Sequence, residues 1–349
     1  MTRVLIAAGG TAGHVVPALA VAGELRARGV ELVWVGGERS EAELVPAAGY
    51  RLHRIAVRGL SRSDPVAAAR AAVLAGRATA RAARVLREER PDAVFGGGGY
   101  VAGPVGLAAV ARRIPLVLAE ADSVLGLSNR MLARFARRVC LAFPIAGRDG
   151  PRYRLTGRPV PPPATDRAAA RAAFGVREGE DLVLVFGGSL GARSINEAAV
   201  AAFADAPFRV LHTTGERDFA ALRAPRGGYD LRPYLSTEAF AQALLASDLV
   251  VARAGGSIFE ICSHGRPAVL VPYPHASADH QTRNARWMAD AGAAVIMPDV
   301  ALDGPRLRRE VDALLADPER LAAMARASAG LARPRAAADV ADEVLAAAG

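Results

Sequence analysis

Four apolar runs in this chain each end in a glycine-rich loop that leads into a helical pattern. The loops are AAGGTAGH at 7–14, FGGGGYVAGP at 95–104, FGGSLGARSIN at 186–196 and ARAGGSIFE at 252–260. Short apolar strands that alternate with helices are typical of a doubly wound parallel sheet, in which the loops after the strands form the ligand-binding edge. Glycine lets backbone N–H groups approach a ligand, and the following helix N-terminus favours an anion. The pattern predicts an α/β protein that binds an anionic ligand at these loops.

The strand pattern occurs twice, on either side of the proline-rich segment TGRPVPPPATD at 156–166. The pattern therefore predicts two Rossmann-like domains, 1–157 and 167–329, joined by a linker at 158–166. A cleft between two such domains is the default ligand site. The predicted strands are 3–8, 32–36, 93–98, 115–120 and 139–143 in the first domain, and 182–188, 209–214, 249–256, 268–273 and 293–298 in the second.

Charge and motif content narrow the classes of ligand. The chain has 349 residues and a formal net charge of +9, and all 44 of its Lys and Arg residues are arginine. This excess favours anionic partners. No Gly-Lys-Ser/Thr sequence follows any glycine loop, which argues against a nucleoside-triphosphate P-loop. Dinucleotide-binding folds place an acidic residue at the end of the second strand, and here the acidic residue nearest that strand is Glu38, beyond two glycines. A dinucleotide-dependent dehydrogenase is therefore poorly supported. The sequence contains no stretch of about 18 uninterrupted apolar residues, so no membrane-spanning helix is predicted.

Together with PYPHASADHQTRNA at 272–285, these glycine blocks resemble the MurG family of UDP-N-acetylglucosamine transferases, part of glycosyltransferase family 28. The resemblance implies a GT-B fold of two Rossmann-like domains, with a last helix at about 330–349 that packs back on the first. It implies inverting transfer of GlcNAc from UDP-GlcNAc to the C4 hydroxyl of MurNAc in an undecaprenyl-pyrophosphoryl acceptor. It implies no cofactor and no bound catalytic metal, and the chain has no Asp-x-Asp sequence to clamp one.

The resemblance also assigns individual residues. Acceptor binding falls on Gly98, Gly99 and Tyr100 in the first domain. The family's ribose-binding glutamate matches Glu260, which from its pattern alone reads as an ordinary surface residue of a helix. Residues assigned to the donor UDP-GlcNAc are Thr11, Ala12, Gly13, Asp122, Arg158, Ser189, Leu235, Gly255, Gly256, Ser257, Glu260 and Gln281, of which Thr11 and Gly13 would also line the acceptor's diphosphate site.

Two residues are candidates for catalysis. His14 ends the first glycine loop, and a histidine suits the removal of a hydroxyl proton near neutral pH. A contact to the acceptor's phosphate explains His14 equally well, so both roles stay open. Glu120 ends the strand PLVLAE at the carboxyl edge of the predicted sheet and is a second candidate base or acceptor ligand.

The chain departs from the family at two places near the predicted linker. The family's His-Glu-Gln-Asn is AEAD at 119–122, so Glu120 is kept and Asp122 replaces an asparagine. The family's Asn-Pro-Val-Arg is RPVP at 158–161, so Pro161 replaces the usual arginine. Arg158 is three residues away and is a candidate to supply that charge. These departures leave room for a different acceptor.

The segment 65–90 predicts a cationic amphipathic helix, which suits docking on an anionic membrane surface. A solvated helix that packs its apolar stripe on the sheet is the alternative. The resemblance places the protein peripherally at the cytoplasmic face of the cell membrane, with a possible cell-wall synthesis complex as partner. Competing functions are a related transferase with another lipid or natural-product acceptor, and a non-catalytic nucleotide-sugar-binding protein. With aromatic residues at 5%, no nucleic-acid partner is expected.

Overall fold

The computed structural model of the protein describes residues 1–57, 65–188, 191–225 and 227–349, without the side chains of 65–72 and 277. The chain divides into two compact units. The first is Met1–Val160 together with Arg333–Gly349, and the second is Pro161–Ala332. The fold class is confirmed, since each unit is built on a parallel sheet that alternates with helices. The assignment of acceptor and donor to the two predicted domains stays a prediction.

The first unit holds a seven-stranded sheet in the order β3-β2-β1-β4-β5-β6-β7. Neighbouring strands in it pair in parallel. Its elements along the chain are β1 (Arg3–Ala8), α1 (Ala12–Ala27), β2 (Glu31–Gly36), α2 (Glu41–Ala47), β3 (Arg51–Arg54), α3 (Pro65–Glu89), β4 (Ala93–Gly98), α4 (Ala102–Ala111), β5 (Leu116–Glu120), α5 (Leu127–Leu132), β6 (Arg138–Leu141) and β7 (Tyr153–Leu155).

The second unit holds a six-stranded parallel sheet in the order β10-β9-β8-β11-β12-β13. Short 3-10 helices occupy Ser277–Asp279 and Asp299–Ala301. Its other elements are α6 (Arg167–Ala173), β8 (Leu182–Phe186), α7 (Arg193–Ala202), β9 (Arg209–Thr213), α8 (Glu216–Phe219), β10 (Tyr229–Arg232), α9 (Thr237–Ala246), β11 (Leu249–Ala252), α10 (Ile258–Ser263), β12 (Ala268–Leu270), α11 (His280–Asp290), β13 (Ala294–Ile296), α12 (Gly304–Leu315) and α13 (Pro318–Gly330).

The last helix, α14 (Ala336–Ala348), belongs to the first unit. Its apolar face, which includes Val340 and Val344, joins the core that α1 forms on one face of the sheet. Glu343 accepts hydrogen bonds from Arg138 at 2.8 Å and from Arg154 at 3.2 Å, which ties the helix to β6 and β7. The opposite face of the same sheet is covered by α3, α4 and α5. The first sheet is therefore buried between two helical layers, which leaves its strand ends as the place for a ligand.

Three strands fall outside the predicted ones: β3, β7 and β10. Each lies at the edge of its sheet, and each has a polar sequence, such as RLHR in β3. An edge strand is solvated along one side, so it does not need the continuous apolar run that marks a central strand of a parallel sheet.

The predicted amphipathic segment forms α3, whose last turns pack on the sheet through Val85 and Leu86. Four arginines of this helix and one just beyond its end are exposed: Arg77, Arg81, Arg84, Arg87 and Arg90. The side chain of Arg70, a further arginine of the predicted segment, is not among those that the structure describes. Within the described ranges, no helix combines the length and the apolar character that crossing a bilayer requires. The interpretation of a solvated helix that packs its apolar stripe on the sheet is confirmed for the residues near the C-terminus, whereas docking on a membrane stays a prediction.

Candidate active site

In each unit the glycine loops follow the two strands between which the strand order reverses. In the first unit, loops 9–11 and 99–101 follow β1 and β4, which are neighbours in the sheet. In the second, residues 187–188 and 191–192 follow β8, and loop 253–257 follows β11 in the same way. Such a switch point is where open α/β sheets bind ligands. The topology therefore brings the predicted loops together in pairs, one pair in each unit.

The two loops of the first unit touch through glycine. A methyl group on Gly99 would lie 1.9 Å from the carbonyl oxygen of Gly9, and one on Gly98 would lie 2.6 Å from Cδ2 of His14. Both Gly98 (φ +106°) and Gly99 (φ +77°) also have backbone angles that residues with a side chain rarely adopt. The imidazole of His14 thus packs directly on the second loop, and the predicted acceptor residues Gly98 and Gly99 lie beside the predicted base. Tyr100 follows them with a ring that is 51% exposed.

The environment of His14 favours its uncharged form. Burial lowers the pKa of His14 below its usual value of 6.5, and the nearby Arg158 guanidinium lowers it further, while Asp122 and Glu41 act in the opposite direction. Thr11 Oγ1 lies 3.4 Å from Nδ1 of His14. An uncharged imidazole can accept a proton, so the arrangement is compatible with a general base.

Arg158 reaches the first glycine loop from the linker. Its Nη2 donates a hydrogen bond to the carbonyl oxygen of Gly13 and lies 3.6 Å from the position a methyl group on Gly13 would take. This brings a permanent positive charge to the loop that carries Thr11, Ala12 and His14. The structure thus places the charge of Arg158 beside one set of predicted ligand residues, and its role in donor binding stays a prediction.

Glu120 is held by three donors. Its Oε2 accepts hydrogen bonds from Asn129 Nδ2 at 2.9 Å and from the Gly126 N–H at 2.8 Å, and its Oε1 accepts one from the Asp122 N–H at 3.2 Å. Burial raises the pKa of Glu120, and the hydrogen bonds from Asn129, Gly126 and Asp122 oppose that rise. The side chain organises the turn between β5 and α5. A direct catalytic role for Glu120 stays a prediction, and this geometry favours a positioning role.

In the second unit, loop 253–257 is fixed from α11. Asn284 is fully buried and donates a hydrogen bond to the carbonyl oxygen of Ala254 at 3.1 Å. Nε2 of Gln281 lies 4.0 Å from the position a methyl group on Gly255 would take. Gln281 Oε1 also accepts the Tyr273 N–H at 3.0 Å. The predicted donor residues Gly255 and Gln281 are thus neighbours.

The other predicted donor residues that the structure describes in this unit follow the carboxyl ends of β10 and β11. Gly256 and Ser257 lead into α10, where Glu260 is half-buried. Leu235 is buried between β10 and α9. Ser189 lies outside the described residues. Their contacts to a donor stay predictions.

Arg253, which the sequence interpretation missed, binds three segments at the end of β11. It is 8% exposed, and its guanidinium donates to Asp299 Oδ1 at 2.5 Å, Ser194 Oγ at 2.7 Å and the carbonyl oxygen of Val271 at 3.1 Å. These contacts fix the start of α7 and the end of β12 relative to loop 253–257. An arginine directly after an apolar strand was the available sequence signal, because a charge there must find buried partners.

A second buried network supports the backbone at Gly191. Asn196 donates to the carbonyl oxygen of Thr214 at 3.0 Å and accepts from Nε2 of His212 at 3.1 Å, and Nδ1 of His212 accepts from the Tyr229 hydroxyl at 2.8 Å. Burial lowers the pKa of His212 to about 3. Gly191 packs where a methyl group would lie 2.0 Å from the Thr214 carbonyl oxygen. Among the described residues, no three His, Cys, Asp or Glu side chains form a group that could hold a metal ion.

Curated relatives match almost the whole chain. A UDP-N-acetylglucosamine--N-acetylmuramyl-(pentapeptide) pyrophosphoryl-undecaprenol N-acetylglucosamine transferase from Moorella thermoacetica is 44% identical over 95% of both chains. One of the same name from Alkalilimnicola ehrlichii is 45% identical over 97% of both. The crystal structure of Acinetobacter baumannii MurG superposes with a TM-score of 0.78 at 31% identity, covering 99% of this chain and 100% of that one.

The two units also match family domains separately. Residues 4–141 match the glycosyltransferase family 28 N-terminal domain, and residues 182–341 match the C-terminal domain of the same family. Two doubly wound units with paired glycine loops, matched in this way, define a glycosyltransferase of the GT-B class. The chain belongs to glycosyltransferase family 28 and, within it, to the MurG family.

Proposed function

We propose that this protein transfers GlcNAc from UDP-GlcNAc to the C4 hydroxyl of MurNAc in undecaprenyl-pyrophosphoryl-MurNAc-pentapeptide, a step of peptidoglycan synthesis. The observation that carries the proposal is the similarity, at 44% identity over 95% of the chain, to a relative named for this transfer. The glycine loops at both switch points and the uncharged His14 support it.

The chemistry needs a base, an electrophile and a stabilised leaving group. The C4 hydroxyl oxygen forms a bond to C1 of the donor sugar, the bond from C1 to the UDP oxygen breaks, and its electron pair leaves with UDP. His14 takes the hydroxyl proton through a nitrogen that burial and Arg158 keep unprotonated. Attack from the face opposite UDP inverts the configuration at C1. Arg158, held at Gly13, stabilises phosphate charge close to His14.

We assign the donor's nucleotide to the second unit. Loop 253–257 is fixed by Asn284 and Arg253, so its backbone N–H groups are preorganised to meet a diphosphate. Glu260 accepts hydrogen bonds from the ribose hydroxyls, and Gln281, beside Gly255, contacts the donor sugar. Ser189 is proposed as a further diphosphate contact from its match to the family.

The acceptor is tested with a panel of lipids. Purified protein is incubated with radiolabelled UDP-GlcNAc and a lipid I analogue, diacylglycerol or no acceptor, and lipid-phase label is counted. The proposal predicts label only with the lipid I analogue. Label only with diacylglycerol would indicate a related transferase with another acceptor, and donor binding without any transfer would indicate a non-catalytic nucleotide-sugar-binding protein.

We also propose that the first unit docks on an anionic membrane surface, which the acceptor's lipid requires. Arg77, Arg81 and Arg84 of α3 are exposed. On α5 and just beyond it, Met131 is 63% and Phe135 51% exposed. Exposed arginines suit anionic lipid headgroups, and exposed apolar side chains suit the acyl boundary beneath them.

Vesicle flotation tests the docking proposal. Wild type is expected to float with vesicles that contain an anionic phospholipid and much less with purely zwitterionic ones, and added salt should weaken the binding. A variant with Arg77, Arg81 and Arg84 changed to Gln should bind less, while one with the exposed Arg223 of the second unit changed to Gln should behave as wild type. Equal flotation with both lipid compositions would refute the electrostatic part of the proposal.

A further inference from the structure

Glu41 is a buried carboxylate beneath the first glycine loop. It is the first residue of α2 and is 1% exposed. Its Oε1 accepts the Gly37 N–H at 2.7 Å, and its Oε2 accepts the Gly10 N–H at 2.8 Å. In the part of the chain that the structure describes, no arginine or histidine forms an ion pair with it. Burial of a carboxylate without a cation is costly unless hydrogen-bond donors satisfy it, and these two N–H groups fill that role.

The surrounding backbone leaves room for this one side chain. A methyl group would lie 2.6 Å from Glu41 Oε1 if placed on Gly9, 2.7 Å from Cγ if placed on Gly36, and 2.8 Å from Oε1 if placed on Gly37. The last residue of β2, the glycine that follows it and the glycine after β1 therefore open a slot that the Glu41 side chain fills. The carboxylate bridges the carboxyl ends of the adjacent strands β1 and β2, and it binds the backbone of the loop that leads to His14.

The bridge has a consequence for the loop. Gly10 adopts φ +103°, and its N–H points inward to Glu41, so it is not available to an anion on the outer side. The following residues, from Thr11 to His14, begin α1 directly after this fixed point. The position of the imidazole on Gly98 therefore depends on a loop anchored by Glu41.

We propose that Glu41 is a positioning residue for the transfer reaction: through its bond to Gly10 it fixes the first glycine loop, which leads directly into the turn of α1 that carries His14. The inference rests on the proposed function for its kinetic part only. Glu41 does not touch either substrate, because its side chain is enclosed by Gly9, Gly36 and Gly37.

The charged groups that act on His14 are Arg158 from the linker, Asp122 after β5 and Glu41 from α2. Removal of the Glu41 charge leaves Arg158 less balanced, so the pKa of His14 should fall. Glu41→Gln removes the charge and one acceptor. Glu41→Asp keeps the charge but shortens the side chain, so the bond to Gly10 is lost.

The experiment uses full-length Glu41→Gln, Glu41→Asp and, as a control, Glu43→Gln, whose side chain is exposed on the same helix. Circular dichroism checks folding, calorimetry measures UDP affinity, and NMR of histidine-labelled protein measures the pKa of His14. In both Glu41 variants kcat should fall about tenfold or more with UDP affinity unchanged. In Glu41→Gln alone the pKa of His14 should also fall. Glu43→Gln should match wild type in every measurement.

The outcomes separate the inference from the proposed function. If wild type transfers no GlcNAc to the lipid I analogue, the proposed function fails, and the NMR titration still tests the link between Glu41 and His14. The inference is overturned if folded Glu41→Gln keeps both the wild-type kcat and the wild-type pKa of His14. It is also overturned if Glu41→Gln weakens UDP binding as much as it lowers kcat, since that indicates a general structural role. If Glu41→Gln does not fold, Glu41→Asp decides through kcat alone.

Discussion

The guanidinium of Arg158 donates a hydrogen bond to the carbonyl oxygen of Gly13, the residue directly before His14. This contact brings a positive charge to a partly buried imidazole, and both the burial and the charge lower the pKa of His14. That Arg158 supplies the charge of the family's arginine, which is replaced by Pro161 here, stays a prediction. The pH dependence of the reaction should therefore report on this pair.

Loss of the His14 imidazole should reduce turnover much more than donor affinity. For His14→Ala we expect kcat to fall by about 10²- to 10⁴-fold, the usual contribution of a general base. In wild type the acidic limb of the kcat/KM profile should have its midpoint below pH 6.5, because the lowered pKa keeps His14 unprotonated there. Steady-state kinetics and UDP calorimetry check both points. Equal losses in kcat and donor affinity would favour the phosphate-contact role instead.

Removal of the Arg158 charge should move that limb in the opposite direction. In Arg158→Gln the pKa of His14 should rise, since a cation that opposes its protonation is gone, and the acidic limb should shift to higher pH. Comparison of pH profiles with Arg152→Gln, an exposed arginine of the same unit, gives the control. A profile that does not move in Arg158→Gln would show that the two groups are not coupled.

Glu260 should contribute to donor binding without affecting the fold. Hydrogen bonds to a charged group contribute about 1.5–3 kcal/mol, so Glu260→Ala should weaken UDP binding about tenfold to a hundredfold. Isothermal calorimetry with UDP measures this, and Glu238→Ala, an exposed glutamate on α9, is the matched control. Unchanged UDP affinity in Glu260→Ala would contradict the proposed contact between Glu260 and the ribose hydroxyls.

The buried His212 should make the second unit sensitive to acid. Its pKa of about 3 lies below the usual 6.5, so between these values the unfolded chain takes up a proton that the native state does not. The free energy of unfolding should therefore fall as the pH drops below 6.5, by at most about 1.4 kcal/mol per pH unit from this group. Urea denaturation at pH 7 and pH 5 tests this. His212→Gln should flatten the dependence, whereas His275→Gln, at an exposed position, should not.

The architecture could be predicted from sequence because buried parallel strands must be apolar along their length. β1 and β4 coincide with the predicted 3–8 and 93–98, and the glycine loops after them were evident. β3, β7 and β10 could not be predicted in the same way, because edge strands carry polar side chains on their solvated side.

Some residues of the candidate site could also be predicted from the sequence, and others could not. His14, Gly98 and Gly99 follow from the loop sequences, and the structure brings them together. The role of Glu41 was not evident, because only the fold places it under Gly10, 31 residues away in sequence. Likewise one of the three donors to the Glu120 carboxylate is Asn129, which belongs to the next helix. Such partners are set by tertiary packing, which local sequence patterns do not encode.

The most direct test of the account is to identify the product formed from UDP-GlcNAc and a lipid I analogue by wild type and by His14→Ala. We expect wild type to release one UDP for each lipid-linked disaccharide, with a β1→4 bond by NMR, and His14→Ala to form the same product far more slowly. Release of UDP without a disaccharide, or a product with retained configuration at C1, would contradict the account.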